Sequence, residues 1–432
     1  MPPPEDEAAV AAAPPPRREL LGPGLITGAS DDDPSGIATY AQAGARFGFD
    51  LAWTLVFTYP LMVAIQEISA RIGRTTGRGI AGNIRQHYSP WTLRGIAALL
   101  CFANTVNVGA DLAAMAEASR LLLHGVPAWV WVALFGIGCT LAQVLFDQRG
   151  YASILRWLTL SLGAYFAVLF AVHIPWGQVL RAMLLPRGSA SVSFWQMVVA
   201  VLGTTISPYM LFWQAAEEVE DTRAAPDRQP LRRAPGQGTA ELARIRLDTA
   251  FGMAVSNLVG IAILITTAAT LRTAGVHDIH SGAQAAQALR PVAGEFAEVV
   301  FALGIIGTGL LAVPVLAGSA AYTLGEALQW PVGLSRPLAK ARGYYASIAA
   351  ITLCGAAINA LPFDAFSALV WAAVVNGLVA VPVMAVVVRM GRDPRIMGKF
   401  VVSRRTMLLG WIATAVMGLA AAGMILSSLF AR

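Results

Sequence analysis

The sequence predicts an all-α integral membrane protein of about eleven transmembrane helices. Of its 432 residues, 56% are hydrophobic and 13% are charged, whereas about 25% of residues are charged in soluble domains. Apolar windows of about 20 residues, long enough to cross a hydrocarbon core of about 30 Å, recur along the chain. The predicted spans are 22–46, 50–70, 95–119, 126–146, 151–173, 194–214, 249–271, 296–323, 344–361, 365–388 and 406–429.

Basic residues divide unequally between the two sides of the predicted membrane. Counting Lys and Arg in alternate connections gives 23 on the side of the N terminus and 7 on the other side. Short loops rich in these residues remain in the cytoplasm. The protein is therefore predicted to lie in the cell (inner) membrane with its N terminus in the cytoplasm and its C terminus outside. The seven outside residues are Arg46, Arg120, Arg181, Arg187, Arg272, Arg290 and Arg432. The net charge of +6 therefore reflects topology, and no nucleic-acid partner is predicted.

One transmembrane transporter domain is predicted over 20–432, after a Pro- and Ala-rich cytoplasmic tail over 1–19 that we expect to be disordered. Within the domain, the polar stretch 215–247 lacks apolar periodicity and is interpreted as a mobile cytoplasmic linker. No cofactor and no obligate protein partner are implied.

Two predicted helices carry a breaker in the middle, and they lie five helices apart. Asp33-Pro34-Ser35-Gly36 interrupts the first helix, and Thr204-Thr205-Ile206-Ser207-Pro208 interrupts the sixth. Because the offset of five helices is odd, the second five-helix unit would cross the membrane in the opposite orientation to the first. Paired interruptions of this kind indicate a secondary transporter whose binding site lies where the two broken helices meet. The sequence thus predicts a five-plus-five inverted repeat, with discontinuous helices 1 and 6. Repeat one is 20–173, repeat two is 194–389, and an extra helix covers 406–429.

Three consecutive acids, Asp31, Asp32 and Asp33, lie inside the first apolar span. A carboxylate in a membrane helix is costly unless it faces water or a counter-ion. Pro34 removes a backbone donor and frees nearby carbonyl oxygens, so we expect Asp33 to bind a divalent cation. The alternative is that the acids only cap the helix that begins at Pro34. Asp31 and Asp32 fit a vestibule as well as a metal site.

Other polar residues in the spans are weaker candidates. Pro208 alone predicts a kink, but its pairing with the first break makes Ser207 and the Thr204 carbonyl candidate oxygen ligands. Asp111 and Glu117 are candidates for a proton path, although Glu117 also fits an ion pair with Arg120 or another buried partner. Asn376 is a further path candidate that hydrogen bonding between helices would equally explain.

Histidine and cysteine do not form a recognisable site. The three cysteines lie in apolar helices without a close-spaced pair, and the five histidines fall in loops or at helix ends. These residues are Cys101, Cys139, Cys354, His87, His124, His173, His277 and His280. A membrane enzyme would need such a constellation near the midplane, so no enzyme is predicted.

Several motifs resemble those of the NRAMP metal-ion transporter family, whose first helix carries the signature DPGN. The similar stretches are Gly22-Pro23-Gly24, Asp33-Pro34-Ser35-Gly36, Gln42-Ala43-Gly44 with Phe47-Gly48, QEISARIGRTTG from Gln66 to Gly77, Ser207-Pro208, Gly304 to Gly325, and Met397-Gly398. The resemblance spans roughly 21–430. It implies the fold shared with amino-acid and cation transporters and a metal held by the broken helices.

Departures from the family pattern indicate a harder ion. The resemblance makes Asp33 the family's metal-binding aspartate, while Gly36 stands where its Asn ligand would be and Ser207 where its Met ligand would be. Loss of a thioether favours oxygen-preferring ions, as in the NRAMP-related magnesium transporter branch.

The residues of the family's proton route also differ in part. Asp111 matches one acid of that route, whereas Ala114 replaces its Glu, and Tyr209 and Gln214 stand where the family has two His. These differences argue against proton coupling in the family's usual form, and the sequence leaves open whether protons are coupled in another way.

The predicted function is secondary active uptake of a divalent cation into the cell by alternating access. Mn²⁺ or Mg²⁺ is favoured, and Fe²⁺ is the next candidate. The alternative left open is a Na⁺- or H⁺-coupled transporter of a small organic solute on the same fold.

Overall fold

The computed structural model describes residues 23–29, 31–145, 160–189, 191–333, 336–361 and 364–430, and these residues contain helices and no strand. The predicted tail over 1–19 and the start of the fifth predicted span lie outside the described residues. The α-helices, in chain order, are α1 (Pro23–Ala29), α2 (Pro34–Phe47), α3 (Ala52–Thr76), α4 (Ile80–His87), α5 (Pro90–Leu122), α6 (Ala128–Leu145), α7 (Gly163–Ala171), α8 (Trp176–Leu184), α9 (Val192–Thr205), α10 (Pro208–Ala224), α11 (Gly238–Thr270), α12 (Gly282–Ala286), α13 (Arg290–Ala293), α14 (Ala297–Leu328), α15 (Arg342–Ile358), α16 (Ala365–Arg392), α17 (Pro394–Met397) and α18 (Arg404–Phe430).

Eight helical segments in the described residues are long and apolar enough to cross a membrane. The other three predicted spans correspond to shorter pieces. The first is split into α1 and α2, the fifth is described only from Leu160 onwards, and α15 has 17 residues. The all-helical membrane architecture is confirmed, and the count of eleven stays a prediction.

Both predicted helix breaks are present. The first separates α1 from α2 and ends at Asp33, which has extended backbone angles and caps α2. The second separates α9 from α10 at Ile206 and Ser207, with Pro208 as the first residue of α10. Pro suits the first helical position because its missing N–H has no helical partner there. α2 packs on α9 and α1 packs on α10, so the two breaks lie together in the core.

Glycines allow the helices around the breaks to approach closely. A Cβ added to Gly28 would collide with the backbone of Gly252, so α1 and α11 touch through their main chains. Gly203 on α9 meets the backbone of Ala373 and Gly377 on α16 in the same way. The inner helices are therefore tightly packed, whereas α6 and α18 expose apolar side chains at the periphery, as lipid-facing helices do.

The polar stretch 215–247 differs from the predicted mobile linker. α10 continues to Ala224 and α11 begins at Gly238, so only 225–237 lies between the two long helices. The helices extend into charged sequence because their charges pair inside the protein, as Arg244 does with Glu218 at 2.5 Å. A helix end whose buried residues are paired charges shows no apolar periodicity, so the sequence pattern does not reveal it.

Candidate functional site

Asp33 lies at the first break with both carboxylate oxygens engaged. Its Oδ1 accepts hydrogen bonds from the Gly36 backbone N–H at 2.7 Å and from Ser35 Oγ at 2.8 Å. Its Oδ2 accepts a longer hydrogen bond from Asn107 Nδ2 at 3.3 Å. The capping role that was the alternative reading is therefore present in the structure. A cap uses one oxygen, which leaves Oδ2 with a single weak donor and free lone pairs for a cation.

Asp31 and Asp32 turn towards α11. Ser256 Oγ lies 2.6 Å from Asp31 Oδ2 and 3.2 Å from Asp32 Oδ1, and Asp31 Oδ1 is buried without a hydrogen-bond partner among the described residues. All three acids are nearly inaccessible in this conformation. The hydrogen bonds thus separate Asp33, which faces α5, from Asp31 and Asp32, which share Ser256.

Thr204 and Ser207, from the second break, are buried close to the first. A Cβ added to Gly36 would lie 2.9 Å from Thr204 Oγ1 and 3.3 Å from Asp33 Oδ1, so Thr204 and Asp33 flank Gly36. Ser207 Oγ donates to the carbonyl oxygens of Gly203 at 2.9 Å and Thr204 at 3.0 Å. The structure thus brings Asp33, Gly36 and Thr204 together, and it links Ser207 to them through the Thr204 carbonyl.

Asp111 on α5 is a fourth buried acid near this point. It is completely buried, and it interacts with the Asp33 carboxylate and with the Ser35 backbone. Asn107 lies four residues earlier, so the two side chains share one face of α5. The spacing places Asn107 beside Asp111, but its contact with Asp33, 74 residues away, appears only in the folded chain.

Glu117 and Asn376 lie apart from the hydrogen bonds of Asp33. Glu117 Oε1 accepts from the backbone N–H of Gly282 at 2.9 Å, and none of the described ion pairs joins it to Arg120. Of the two partners considered for Glu117, Arg120 or another buried group, the structure thus provides the second as a backbone donor. Asn376 on α16 is fully buried, with neither side-chain polar atom hydrogen-bonded to a described residue.

A sulfur atom near the first break was also missed. Met115, four residues after Asp111 on α5, is buried and packs at Gly309, which also lies next to Pro34. The thioether of Met115 is a soft group close to α2. Its position depends on the packing of α5 against α14, which a single sequence does not reveal.

The donor set at the breaks consists mainly of oxygen atoms. Within the described ranges, no group of three or more His, Cys, Asp and Glu side chains is arranged to hold a metal ion. A cation between the breaks would therefore meet one carboxylate, from Asp33, with hydroxyl, carbonyl, amide and water oxygens. Such a set suits hard divalent ions and leaves room for bound water.

Two interrupted helices with buried acids between them define a membrane transporter of the broken-helix class. Comparison with known proteins agrees with this class of transporter. The family model described as Nramp, natural resistance-associated macrophage protein-like, matches residues 24–427. The chain belongs to this family.

Curated relatives carry matching names. The chain is 27% identical over 421 residues to a divalent metal cation transporter MntH of Ralstonia nicotianae, covering 92% of this chain and 88% of that protein. It is also 27% identical over 413 residues to the protein of that name from Mycobacterium tuberculosis, covering 93% and 89%.

Solved structures share the fold. A manganese transporter from Eremococcus coleocola superposes with a TM-score of 0.72 at 17% identity, covering 93% of this chain and 85% of that one. MhsT in complex with L-phenylalanine superposes with a TM-score of 0.61 at 13% identity, covering 96% and 99%. The fold predicted for amino-acid and cation transporters is confirmed.

Proposed function

We propose that this protein takes a divalent metal cation into the cell by alternating access, in an inner membrane with its N terminus in the cytoplasm. One observation carries the proposal. Asp31, Asp32, Asp33 and Asp111 are buried around the first break, and no Lys or Arg among the described residues forms an ion pair with any of them. Buried carboxylates need a cationic partner or a proton, and a transported cation supplies the partner.

Asp33 is the proposed anionic ligand. The Thr204 and Ser207 oxygens, backbone carbonyls and water complete the shell, and Gly36 contributes space because it carries no side chain. Asn107 holds Asp33 Oδ2 through its amide and orients the carboxylate, as partners in the outer shell of metal sites do. Asp31, Asp32 and Asp111 raise the local concentration of cations through their charge.

Mg²⁺ and Mn²⁺ are the proposed substrates, with Fe²⁺ third. Hard oxygen donors select ions of this kind, and softer sulfur and nitrogen donors favour later transition metals. The printed names of the relatives, divalent metal cation transporter and manganese transporter, support a divalent cation. The organic-solute alternative gains no support, since an amino-acid carboxylate at the start of α2 would be repelled by the acids there.

Alternating access requires closed and open ends of one pathway. At the end of α1 that is remote from the break, the Gly24 N–H donates to Asp248 Oδ2 at 2.6 Å. Arg244 Nη1 lies 3.9 Å from the same oxygen, and Arg244 Nη2 contacts Glu218 Oε2 at 2.5 Å. In the proposed cycle this buried polar network keeps that end of the pathway closed. With the acids also buried, this conformation has the proposed site shielded from water. Release of α1 from Asp248 is the proposed opening step.

Replacement of Asp33 by Asn tests the metal ligand with minimal change in shape. Loss of even an outer-shell partner lowers metal affinity about 10–100-fold, so loss of the anionic ligand is expected to lower Mn²⁺ uptake into proteoliposomes by at least about 100-fold. The matched control is Asp227→Asn, because Asp227 is an exposed acid in the α10–α11 connection. Equal uptake by the Asp33 variant and the control would overturn the assignment.

A further inference from the structure

A cavity remote from the helix breaks lies at the end of α2. It has a volume of about 1210 Å³ and is lined by the turn after α2, the connection between α7 and α8, α8 itself, and the last turn of α11. By the distribution of basic residues, this end of the protein is predicted to face the outside. The cavity is therefore expected near the level of the lipid headgroups, separate from the metal pathway.

The charged lining of this cavity is mainly basic. Arg181, Arg187 and Arg272 line it together with His173 and His277, and Asp50 is its single acid. Three of the seven basic residues predicted on the outside thus lie in one cavity. Since positive charge is generally sparse on that side, their concentration there indicates an anionic ligand.

The cations of the cavity are only partly neutralised by the protein. Arg187 lies 3.8 Å from Asp50 at the surface, with both side chains at least half exposed. Arg272 Nη1 donates to the carbonyl oxygens of Ala45 at 3.2 Å and Arg46 at 2.5 Å, at the end of α2. Arg181 is exposed and forms no ion pair with the described residues. Asp278, next to His277, is already engaged by Arg46 and Gln42.

α8 has the pattern of a helix that lies in the membrane interface. Trp176, Leu180 and Leu184 recur every four residues and are 48%, 55% and 65% exposed, whereas Val179 and Ala182 face the core. Arg181 follows Leu180 on the exposed side and lines the cavity. An amphipathic helix with Trp and Leu on one face and a basic residue beside them is typical of interfacial helices.

We infer that this cavity binds the headgroup of an anionic phospholipid, with the phosphate at Arg181, Arg187 and Arg272 and the acyl chains along Trp176, Leu180 and Leu184. Arginine suits this role because its planar fork pairs with two phosphate oxygens. A free phosphate ion would use the arginines alone. The exposed apolar face next to them favours the lipid.

Native mass spectrometry of the full-length protein in detergent tests this inference, with dioleoylphosphatidylglycerol and dioleoylphosphatidylcholine as the probes. The wild type is expected to retain phosphatidylglycerol preferentially. The double variant Arg181→Gln/Arg187→Gln is expected to bind it about 25-fold more weakly, or fivefold for each basic residue, with phosphatidylcholine binding unchanged. The conservative variant Arg181→Lys/Arg187→Lys is expected to keep most of the preference.

The matched control is Arg290→Gln, which removes an exposed arginine from the same predicted side but outside the cavity. It is expected to bind both lipids as the wild type does, and unchanged thermal unfolding of all variants without added lipid would show that they are folded. Equal binding of the two lipids by the wild type, an unaltered preference in the double Gln variant, or displacement of phosphatidylglycerol by excess inorganic phosphate would each overturn the inference.

Discussion

Gly36 shows how a single position controls the space between the two breaks. It follows Pro34 in the first turn of α2 and lies between Asp33 Oδ1 and Thr204 Oγ1. A methyl group at this position would come within 2.9 Å of the threonine oxygen. Thr204 is buried in α9, where the χ1 angle of a threonine is restricted to two main rotamers. The pair therefore limits the side chain that position 36 can carry.

We expect Gly36→Ala to destabilise the protein in a way that depends on Thr204. Overpacking costs about 1–3 kcal/mol, which exceeds the gain of up to about 1 kcal/mol from Ala over Gly in a helix. In a Thr204→Ala background the closest contact, with Oγ1, is absent and the 3.3 Å approach to Asp33 Oδ1 remains, so the same change is expected to destabilise the protein less. Thermal unfolding of the single and double variants without metal measures this coupling.

The control for these single and double variants is Thr204→Ser, which keeps the side-chain oxygen and removes only a methyl group. Gly36→Ala should remain destabilising in that background. An equal shift of the unfolding midpoint in all three backgrounds would show that Gly36 and Thr204 do not interact.

At the same scale, the sequence identifies the acids but not their partners. Asp33 and the break were predictable because three acids and a proline inside an apolar span are costly without a local reason. Asn107, Ser256 and Met115 were not, since each reaches the break from a distant helix through tertiary packing. The buried partner of Glu117 could not be named for the same reason, because Arg120 is near in sequence while the Gly282 N–H is near only in space.

Among the elements, α10 and α11 are joined by a buried ion pair. Arg244 contacts Glu218 at 2.5 Å and Glu241 at 3.1 Å, and Arg74 shares Glu241 at 3.1 Å. The side chains of Arg244 and Glu218 are 8% and 0% exposed. These ion pairs order sequence that composition alone assigns to a mobile linker.

Arg244→Leu is expected to destabilise the protein by about 3–5 kcal/mol, because it leaves Glu218 buried without its cation. The double variant Glu218→Leu/Arg244→Leu should recover much of this loss, since no unpaired charge then remains in that pair. Arg246→Leu is the control. Arg246 is 63% exposed and 3.9 Å from Glu67, so its loss should cost about 0–1 kcal/mol. Thermal or denaturant unfolding in detergent would measure the three variants, and a double variant no more stable than Arg244→Leu would contradict the pairing.

For the whole molecule, the family and the fold agree with the sequence patterns, while ion preference depends on the few atoms that contact the ion. The membrane-spanning helices and the paired breaks were readable because membrane length and helix breakers act locally. Selectivity is a difference of affinities between similar ions, and it depends on distances that only the assembled helices define. Ion preference is therefore the property for which measurement adds most.

Competitive uptake in proteoliposomes is expected to show that Mg²⁺ and excess Mn²⁺ compete with each other, with Cd²⁺ a weak competitor. The physical reason is the oxygen-rich donor set around Asp33, which lacks the thiolate and thioether ligands that Cd²⁺ prefers. An internal pH dye in the same vesicles should report little proton entry, given Ala114 in place of the acid that the family resemblance implies.

Met115→Leu is the matched variant for this measurement, because it removes the sulfur next to α2 and keeps a similar volume. It should leave the ion preference unchanged. Strong Cd²⁺ competition that disappears in Met115→Leu would instead make Met115 a ligand, and acidification in step with metal uptake would show proton coupling.

Because α1 is short, a small rotation of this helix is enough to separate Gly24 from Asp248. α1 has seven residues, so Gly24 lies about 10 Å from the break at a rise of 1.5 Å per residue. A swing of about 20° about residues 31–33 would move that end by about 3–4 Å over a distance of about 10 Å. This displacement exceeds what the 2.6 Å hydrogen bond to Asp248 can span. A small rigid rotation of α1 would therefore break its hydrogen bond to Asp248 and open this end of the proposed pathway. The hydrogen bonds within α1 would stay intact.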